Sequence, residues 1–151
     1  MPSVEERPLL GSRRQSLPVA DRPGEELLAI FMLHGGVLTT DDLVLVARIF
    51  KDQAVSYVAR AIVDRQILTF TFRSSILVPR FQFGPCPLQV LPSVAQAMSE
   101  LTETFEDNAL ATWFAAPNCW LGQQRPCVAI GQRPDAVAEA ARADRHVASG
   151  W

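Results

Sequence analysis

Histidine and cysteine, from which many catalytic and metal sites are built, are scarce in this sequence. The two histidines, His34 and His146, lie near opposite ends of the chain. The three cysteines, Cys86, Cys119 and Cys127, form no Cys-x-x-Cys pair. A structural zinc site takes about four nitrogen or sulfur ligands, and so few histidines give a Ser-His-Asp or Cys-His group little basis. We therefore predict a protein that is not an enzyme, holds no metal or cofactor, and uses its cysteines as small apolar packing residues.

Long apolar runs and a strong net charge are also missing. No stretch approaches the ~18 consecutive apolar residues of a membrane-spanning helix, and the N-terminal sequence has no apolar segment typical of a signal peptide. The formal net charge of the 151 residues is −2, so the chain as a whole does not attract nucleic acid or an anionic membrane. A composition of 48% hydrophobic and 20% charged residues is that of a globular protein. We expect it in the cytoplasm, without a membrane partner.

The chain contains a series of amphipathic segments separated by glycine and proline. Residues 1–23 are rich in proline, arginine, serine and glutamate without apolar periodicity, which predicts a disordered N-terminal tail. Residues 24–68 predict helices, and residues 69–151 predict a hairpin followed by further helices. The predicted fold class is mainly α, a multi-helix domain with one small central β-hairpin.

The hairpin is predicted from the alternation of residue types. Threonine and phenylalanine alternate from Thr69 to Phe72, residues 73–75 are typical of a turn, and an apolar run continues to Val78. Pro79 has no N–H to donate to a neighbouring strand. We therefore expect the second strand at the edge of the sheet.

Two helices are predicted between residues 40 and 65. Thr39 or Thr40 is a candidate N-cap of the first helix, and acidic residues follow in its first turn, where the helix dipole favours them. The second helix carries apolar residues at i, i+3, i+4, i+7 and i+8, which predict its buried face. These residues are Val55, Val58, Ala59, Ile62 and Val63.

Two helices separated by a break of three or four residues resemble a helix-turn-helix unit, which leaves two interpretations open. The candidate phosphate contacts are Arg48, Lys51, Arg60 and Arg65. Ser56 is a further candidate DNA contact on the second helix. The aspartates that offset this positive charge are Asp41, Asp42, Asp52 and Asp64. Because few side chains here could read base edges, a structural helical hairpin and a DNA-binding unit both remain possible interpretations.

Four segments of the second half share their order and spacing with a known family. They are RFQF at 80–83, LATWFAAPN at 110–118, LGQQRP at 121–126 and PDAVAEAARA at 134–143. Together they resemble the Xre/MbcA/ParS toxin-binding domain of bacterial antitoxins, over residues 76–149. The sequence departs from the family pattern at Phe114, where leucine is usual, and at Gln123, where the loop has a second glycine. It also departs at 127–129, where Leu-Glu or Leu-Asp is common.

The resemblance implies a bacterial protein that acts by binding a partner and performs no chemistry itself. Antitoxins of this family neutralise a RES-domain toxin, an enzyme that consumes NAD, by placing their C-terminal region against its substrate cleft. The implied partner-binding residues are Trp113, Pro117, Asn118, Trp120, Leu121, Gly122, Arg125, Pro126, Arg133, Arg142 and Arg145. Trp113 also has the helical spacing of a core residue, whereas Trp120 in the loop is the better interface candidate.

The role of the N-terminal half stays open under this resemblance. Many such antitoxins carry an Xre-like DNA-binding domain and repress their own operon, and residues 25–68 occupy that place. One alternative function is a DNA-binding transcriptional regulator whose C-terminal half is a dimerisation module. Another is an orphan helical interaction protein without a toxin. We expect a homo-oligomer.

The last helix also allows two interpretations. It carries a stripe of small residues, Ala136, Val137, Ala140 and Ala141. In one interpretation this stripe docks on the partner while nearby arginines engage acidic or phosphate-binding features of a nucleotide cleft. In the other, the stripe packs on the protein's own core.

Overall fold

The structure, a computed structural model, describes residues 22–86 and 88–150. The first helix already begins at Arg22, one residue before the predicted end of the N-terminal tail at residue 23. The rest of that predicted tail, residues 1–21, lies outside the described residues.

The described residues form seven helices and three short strands, which confirms the predicted mainly α fold with a small β element. In chain order they are α1 (Arg22–Leu33), β1 (Val37–Thr39), α2 (Thr40–Ala47), α3 (Ala54–Val63), β2 (Phe70–Phe72), β3 (Ser75–Pro79), α4 (Pro92–Leu101), α5 (Asp107–Ala115), α6 (Pro126–Ala129) and α7 (Pro134–Ala148). Two 3₁₀ turns cover Arg80–Gln82 and Cys119–Leu121.

The strands form an antiparallel sheet in the order β1-β3-β2. The predicted hairpin is present, with Thr71 opposite Ile76. The prediction that β3 is an edge strand is wrong, because β1 pairs with its other side and places Leu38 opposite Val78. Pro79 is tolerated since it is the last residue of β3, opposite Val37. A three-residue strand between two glycines and a helix has too little periodicity to be seen in the sequence.

Helix α2 begins with the predicted cap. Thr39 Oγ1 accepts a hydrogen bond from Asp42 N at 3.1 Å, and Thr39 N donates to Asp42 Oδ2 at 2.9 Å. This reciprocal pair is a capping box, which satisfies two backbone N–H groups at the start of the helix. These contacts lower the pKa of Asp42 below its ordinary value. The hydrogen bond from the Thr39 backbone has the larger effect, and the hydrogen bond with the Thr39 side chain has the smaller one.

The predicted buried face of α3 is largely wrong. The helix buries Ala54, Val58 and Ala61, whereas Val55 and Val63 are 61% and 78% exposed. Small alanines fit because α2 packs closely against this side of α3, and periodicity alone does not distinguish an alanine-rich face from the neighbouring valine-rich one. Val55 and Val63 therefore face away from the core, whereas Val58 is buried as predicted.

Two apolar clusters form the interior. The larger one joins Leu27 and Phe31 of α1 to the C-terminal helices, with Phe114 and Val137 among its members. The ring of Phe81 stacks on Phe31, with centroids 5.7 Å apart. The predicted second and third segments, residues 24–68 and 69–151, therefore share this cluster. The smaller cluster consists of Leu43, Ala47, Ala54, Val58, Ala61, Ile67 and Val78.

Candidate protein-binding site

The tryptophan-rich segment runs from the end of α5 into the loop before α6. Trp113 is only 8% exposed and meets Phe114 edge-on, with ring centroids 5.0 Å apart at 89°. Trp120, in the 3₁₀ turn Cys119–Leu121, is 57% exposed. The two tryptophans thus have different roles: Trp113 packs in the core, and Trp120 offers its ring to the surface.

The carboxylate of Asp144 on α7 joins three side chains of this segment. Trp113 Nε1 donates to Oδ2 at 2.7 Å, and Asn118 Nδ2 donates to the same oxygen at 2.9 Å. Trp120 Nε1 donates to Oδ1 at 2.9 Å. Hydrogen bonds to an ionised carboxylate are stronger than those between neutral groups. Asp144 therefore fixes both indole rings and the loop against α7.

The loop backbone is organised around Asn118. Its Oδ1 accepts from Trp120 N at 2.9 Å, and its carbonyl accepts from Leu121 N and Gln123 N at 3.0 and 2.8 Å. The chain then turns through two left-handed residues, Gly122 at φ 63° and Gln123 at φ 70°. A glycine adopts this conformation freely, whereas a residue with a Cβ is strained. Gln123 is thus strained at the position where the resembled family has its second loop glycine.

Replacing Gln123 by glycine is expected to stabilise the protein by about 0.5–1 kcal/mol, because relief of the left-handed strain exceeds the added entropy of the unfolded chain. The backbone hydrogen bond to Asn118 remains. Urea unfolding followed by circular dichroism measures the change. Gln132→Gly is the matched control, since Gln132 is exposed without a positive φ; we expect it to lose stability. A Gln123→Gly protein less stable than wild type would contradict the strain argument.

Two of the predicted partner-binding arginines hold the loop by hydrogen bonds to its backbone and to the end of α5. Arg125 Nη1 donates to the carbonyl of Ala115, at the end of α5. Arg133 Nη2 donates to the carbonyl of Leu121 at 3.0 Å and to the side chain of Gln124. These contacts satisfy carbonyls at a helix end and a turn, where no helical partner is available. Both arginines therefore have a structural role in the shape of the loop.

The other two arginines tie α7 to α4. Arg142 Nε lies 3.2 Å from Glu100 Oε1 and donates a hydrogen bond to it. Arg145 Nη1 lies 2.5 Å from Glu100 Oε2 as an ion pair, without hydrogen-bond geometry. Both arginine side chains are close to half exposed, so each ion pair contributes only modestly to stability. Their guanidinium groups reach a partner only by sharing or leaving Glu100.

The predicted partner-binding residues divide by burial. The buried ones are Trp113, Asn118, Leu121 and Pro126. The exposed ones are Pro117, Trp120, Gly122, Arg133, Arg142 and Arg145, with Arg125 between the two groups. Leu121 and Pro126 are corrected as contact residues, because they lie inside the protein where a partner does not reach them. Trp113 and Asn118 are both hydrogen-bonded to Asp144, and Asn118 also accepts from the backbone N–H of Trp120.

A surface depression of about 580 Å³ lies beside this loop. Its lining combines apolar residues, including Phe105, Trp113 and Pro117, with the carboxylate of Asp144. Cys119, the neighbour of Trp120, also lines it. An exposed aromatic ring beside an apolar depression is the arrangement that protein interfaces use as an anchor and an adjoining pocket.

The small-residue stripe of α7 is not part of that surface. Val137, Ala140 and Ala141 are buried in the larger apolar cluster, and α7 makes extensive contact with α4. The interpretation that this stripe docks on a partner is therefore wrong. The small side chains allow α7 to approach α4 closely instead.

The candidate DNA-binding residues lie around the connection between α2 and α3. Lys51, Ser56 and Arg60 line one cleft of about 250 Å³, together with Asp52 and Tyr57. Lys51 Nζ lies 5.0 Å from the centre of the Tyr57 ring. The break between the helices spans residues 48–53, longer than predicted. Arg48 is exposed at the C-terminal cap of α2 and does not line this cleft.

Arg65, the fourth predicted phosphate contact, is engaged elsewhere. It adopts φ 55° just after α3, and its guanidinium donates to the carbonyls of Thr102 and Phe105. Its Nε also donates to Asp107 at 3.1 Å. Arg65 thus joins the end of α3 to the connection between α4 and α5, which removes it from the candidate DNA-binding set.

Sequence reasoning missed Asp144 and Glu100, the two acids that fix α7 to the rest of the site. Neither is part of a local motif, because their partners are 24–42 residues away in the chain. In the sequence Asp144 is one of three acids of α7, beside Asp135 and Glu139, and nothing marks it as the acceptor for the two indole N–H groups. The hydrogen bonds between Asp144 and the two tryptophans can be recognised only once the fold is known.

The cysteine, metal and membrane expectations can be compared with the described residues. Cys127 is buried, and burial raises the pKa of its thiol to about 11; Cys86 and Cys119 are exposed, so the packing expectation fails for them. Within residues 22–86 and 88–150, no group of three His, Cys, Asp or Glu side chains could hold a metal ion. None of the helices described is long and apolar enough to cross a bilayer.

Comparison with known proteins adds no relative. Neither a family model, nor a curated protein, nor a solved structure matches the chain significantly.

Proposed function

We propose that this protein is antitoxin-like: it binds a RES-domain, NAD-consuming toxin and blocks the toxin's substrate cleft sterically. The proposal rests on the family resemblance of residues 76–149 and on one feature of the site. That feature is Trp120, an exposed ring whose orientation is fixed by Asp144 and whose backbone is fixed by Asn118.

A fixed, exposed tryptophan favours a protein partner for a physical reason. Its ring offers a large apolar area, and little side-chain entropy remains to be lost on binding because the indole N–H is already held. Trp is among the residues that most often dominate interface energies. The neighbouring depression has room for a side chain of the partner. The loop can therefore insert the Trp120 ring into the partner and accept a partner side chain in the depression.

The mechanism needs no catalytic group on this chain. A loop that occupies the opening of a nucleotide-binding cleft excludes NAD, and inhibition then follows from the dissociation constant of the complex and the protein concentration. The arginines at positions 142 and 145 are paired with Glu100, so we assign the contact energy mainly to Trp120 and the exposed loop around Pro117 and Gly122.

Trp120→Ala is expected to weaken binding to the cognate RES-domain toxin by about 30-fold or more, the effect of losing a dominant interface tryptophan. The binding partner for the assay is a purified RES-domain protein, and the readouts are its affinity for this chain and the rate at which it consumes NAD. The exposed ring contributes little to the core, so we expect the variant to remain folded, and circular dichroism checks this.

Phe50→Ala is the matched control, since Phe50 is also an exposed aromatic residue, 60% exposed, but lies in the connection between α2 and α3. We expect it to bind the toxin as wild type does. Failure of the wild-type chain to bind or inhibit any RES-domain protein would overturn the proposed function. Equal losses in both variants would overturn the assignment to Trp120.

DNA binding is the second candidate function, as in the regulator alternative. The observation in its favour is that Lys51, Ser56 and Arg60 line one cleft. Asp52 lines the same cleft and offsets part of the positive charge, which favours the protein-binding function.

A further inference from the structure

The carboxylate of Asp144 has no cationic partner among the described residues. Its three hydrogen-bond donors are two indole N–H groups and one side-chain amide, all of them neutral. Within residues 22–86 and 88–150, no arginine or lysine forms an ion pair with it, because the two nearby arginines of α7 pair with Glu100 instead. The charge of this partly buried carboxylate is therefore available to a group from outside the protein.

The same carboxylate also has room for one more hydrogen bond. An ionised carboxylate offers about four lone-pair positions. Oδ2 accepts two hydrogen bonds, whereas Oδ1 accepts only the one from Trp120. A further donor can bond to Oδ1, and a cationic donor bonds more strongly than a neutral one.

The depression beside Asp144 suits the stem of a long basic side chain. Its walls include Phe105, Trp113, Ala116 and Pro117, and Asp144 is the one residue of the described lining that carries a carboxylate or a cationic group. Basic side chains bury their methylene stem along apolar surface while the charged head stays at a polar group. The volume of about 580 Å³ has room for one such stem and its head.

Arginine fits this combination of groups better than lysine does. Its planar guanidinium group stacks on aromatic side chains and is more weakly hydrated than an ammonium group. It therefore loses less hydration on entering a depression that Phe105 and Trp113 line. Its several N–H groups also allow it to bond to Oδ1 of Asp144 without leaving the walls.

We infer that the depression binds an arginine side chain of a protein partner, with the guanidinium group on Oδ1 of Asp144 and the stem against the apolar walls. That this arginine belongs to a toxin rests on the proposed function. The capacity to bind arginine does not, since it depends only on Asp144 and the depression. In the complex, Trp120 would be inserted from this chain and the arginine from the partner.

Nα-acetyl-argininamide tests the depression in the absence of any toxin. Titrated into the full chain, it should shift the indole N–H signals of Trp113 and Trp120 in nuclear magnetic resonance, with a dissociation constant on the order of 10 mM for a ligand of this size. Nα-acetyl-citrullinamide is the matched control ligand, because it has nearly the same shape without the charge. We expect it to bind about fivefold more weakly or less, and Nα-acetyl-lysinamide to bind more weakly than the arginine compound.

Two variants of the chain separate the charge from the space. Asp144→Asn removes the charge, but its carbonyl oxygen can still accept from Trp113 and Asn118, so the variant should remain folded. Ala109→Leu fills the depression from an exposed position on α5 and leaves the carboxylate in place. Each should weaken binding of the arginine compound about fivefold. Ala59→Leu, at an exposed alanine of α3, is the matched control and should bind it as wild type does; circular dichroism checks all three folds.

The same variants test whether the depression serves the proposed toxin. Asp144→Asn and Ala109→Leu should both weaken binding to the RES-domain protein about tenfold, whereas Ala59→Leu should not. A loss in Asp144→Asn alone would overturn the inference, because Asp144 would then act only through Trp120.

The small ligands decide the inference even if no toxin binds. Equal binding of the arginine and citrulline compounds, or arginine binding that is unchanged in Asp144→Asn or Ala109→Leu, would overturn it. A lysine compound that binds as tightly as the arginine one would overturn the choice of arginine. A chain that binds the arginine compound as expected but binds no RES-domain protein would support the arginine site and overturn the proposed function instead.

Discussion

Gln82→Leu is expected to lower the free energy of unfolding by about 3 kcal/mol or more. This is the summed cost of leaving several buried polar groups without a hydrogen-bond partner. The side chain of Gln82 is fully buried. Its Oε1 accepts from Leu68 N at 2.8 Å, and its Nε2 donates to the carbonyls of Leu68 and Pro79 at 2.9 and 2.8 Å. Leucine has a similar volume but no polar atom, so three backbone groups lose their partner inside the protein.

The position of these groups makes the effect large. Leu68 belongs to the larger apolar cluster, and the residue before Pro79, Val78, belongs to the smaller one. Gln82 therefore links the chain entering β2 to the end of β3, between the two clusters. A folded domain is stable by only about 5–15 kcal/mol, so the loss is a substantial part of the total.

Guanidinium unfolding monitored by circular dichroism measures the change, with the slope compared between variants. Gln96→Leu is the matched control, because Gln96 is exposed on α4; its effect should stay within about 0.5 kcal/mol. If Gln82→Leu unfolds at the same midpoint as wild type, the three backbone groups have found other partners and the interpretation of Gln82 is wrong.

The sequence predicts those parts of the fold that depend on neighbouring residues. The N-cap at Thr39, one of two predicted candidates, and the exposed position of Trp120 follow from local chemistry. So does the hairpin, although its turn consists of Arg73 and Ser74 only, because Ser75 already pairs with Phe72 in the sheet. Each is determined within a few residues of the chain. The prediction of Trp113 as a core residue also rests on the spacing within one helix.

The failures concern choices that only the packing makes. The sequence of α3 offers an alanine face and a valine face, and the choice between them depends on how closely α2 approaches. Pro79 is compatible with a central strand because it is the last residue of β3. That β3 is central follows only from its pairing with β1, which the sequence does not reveal. Arg65 carries the charge expected of a phosphate contact, but its guanidinium donates to backbone carbonyls after the end of α4 instead.

Asp144→Ala is expected to destabilise the protein by about 2–3 kcal/mol, since the N–H of Trp113 and the amide of Asn118 are left inside without an acceptor. Both residues are less than a tenth exposed. Trp120 differs, because its freed indole N–H can bond to water. The variant should therefore keep Trp120 exposed but lose the fixed orientation of its ring.

Glu139→Ala is the control for Asp144→Ala, an exposed acid on the same helix whose removal should change stability by less than about 0.5 kcal/mol. Guanidinium unfolding gives the stability, and the indole N–H signals in nuclear magnetic resonance report the two hydrogen bonds of Trp113 and Trp120 directly. Unchanged indole signals and an unchanged midpoint in Asp144→Ala would contradict the role of this carboxylate.

The same variant separates contact from positioning at the binding loop. If Asp144 acts on the partner only by orienting Trp120, then Trp120→Ala should weaken the proposed toxin binding much less in the Asp144→Ala background than in wild type. This non-additivity is expected of residues in direct contact, and the difference between the two backgrounds gives their coupling energy, of about 0.5–3 kcal/mol. Additive losses would mean that Asp144 contacts the partner independently. The Trp120 ring would then be one of two separate anchors, and the loop would not act as a preorganised unit held against α7.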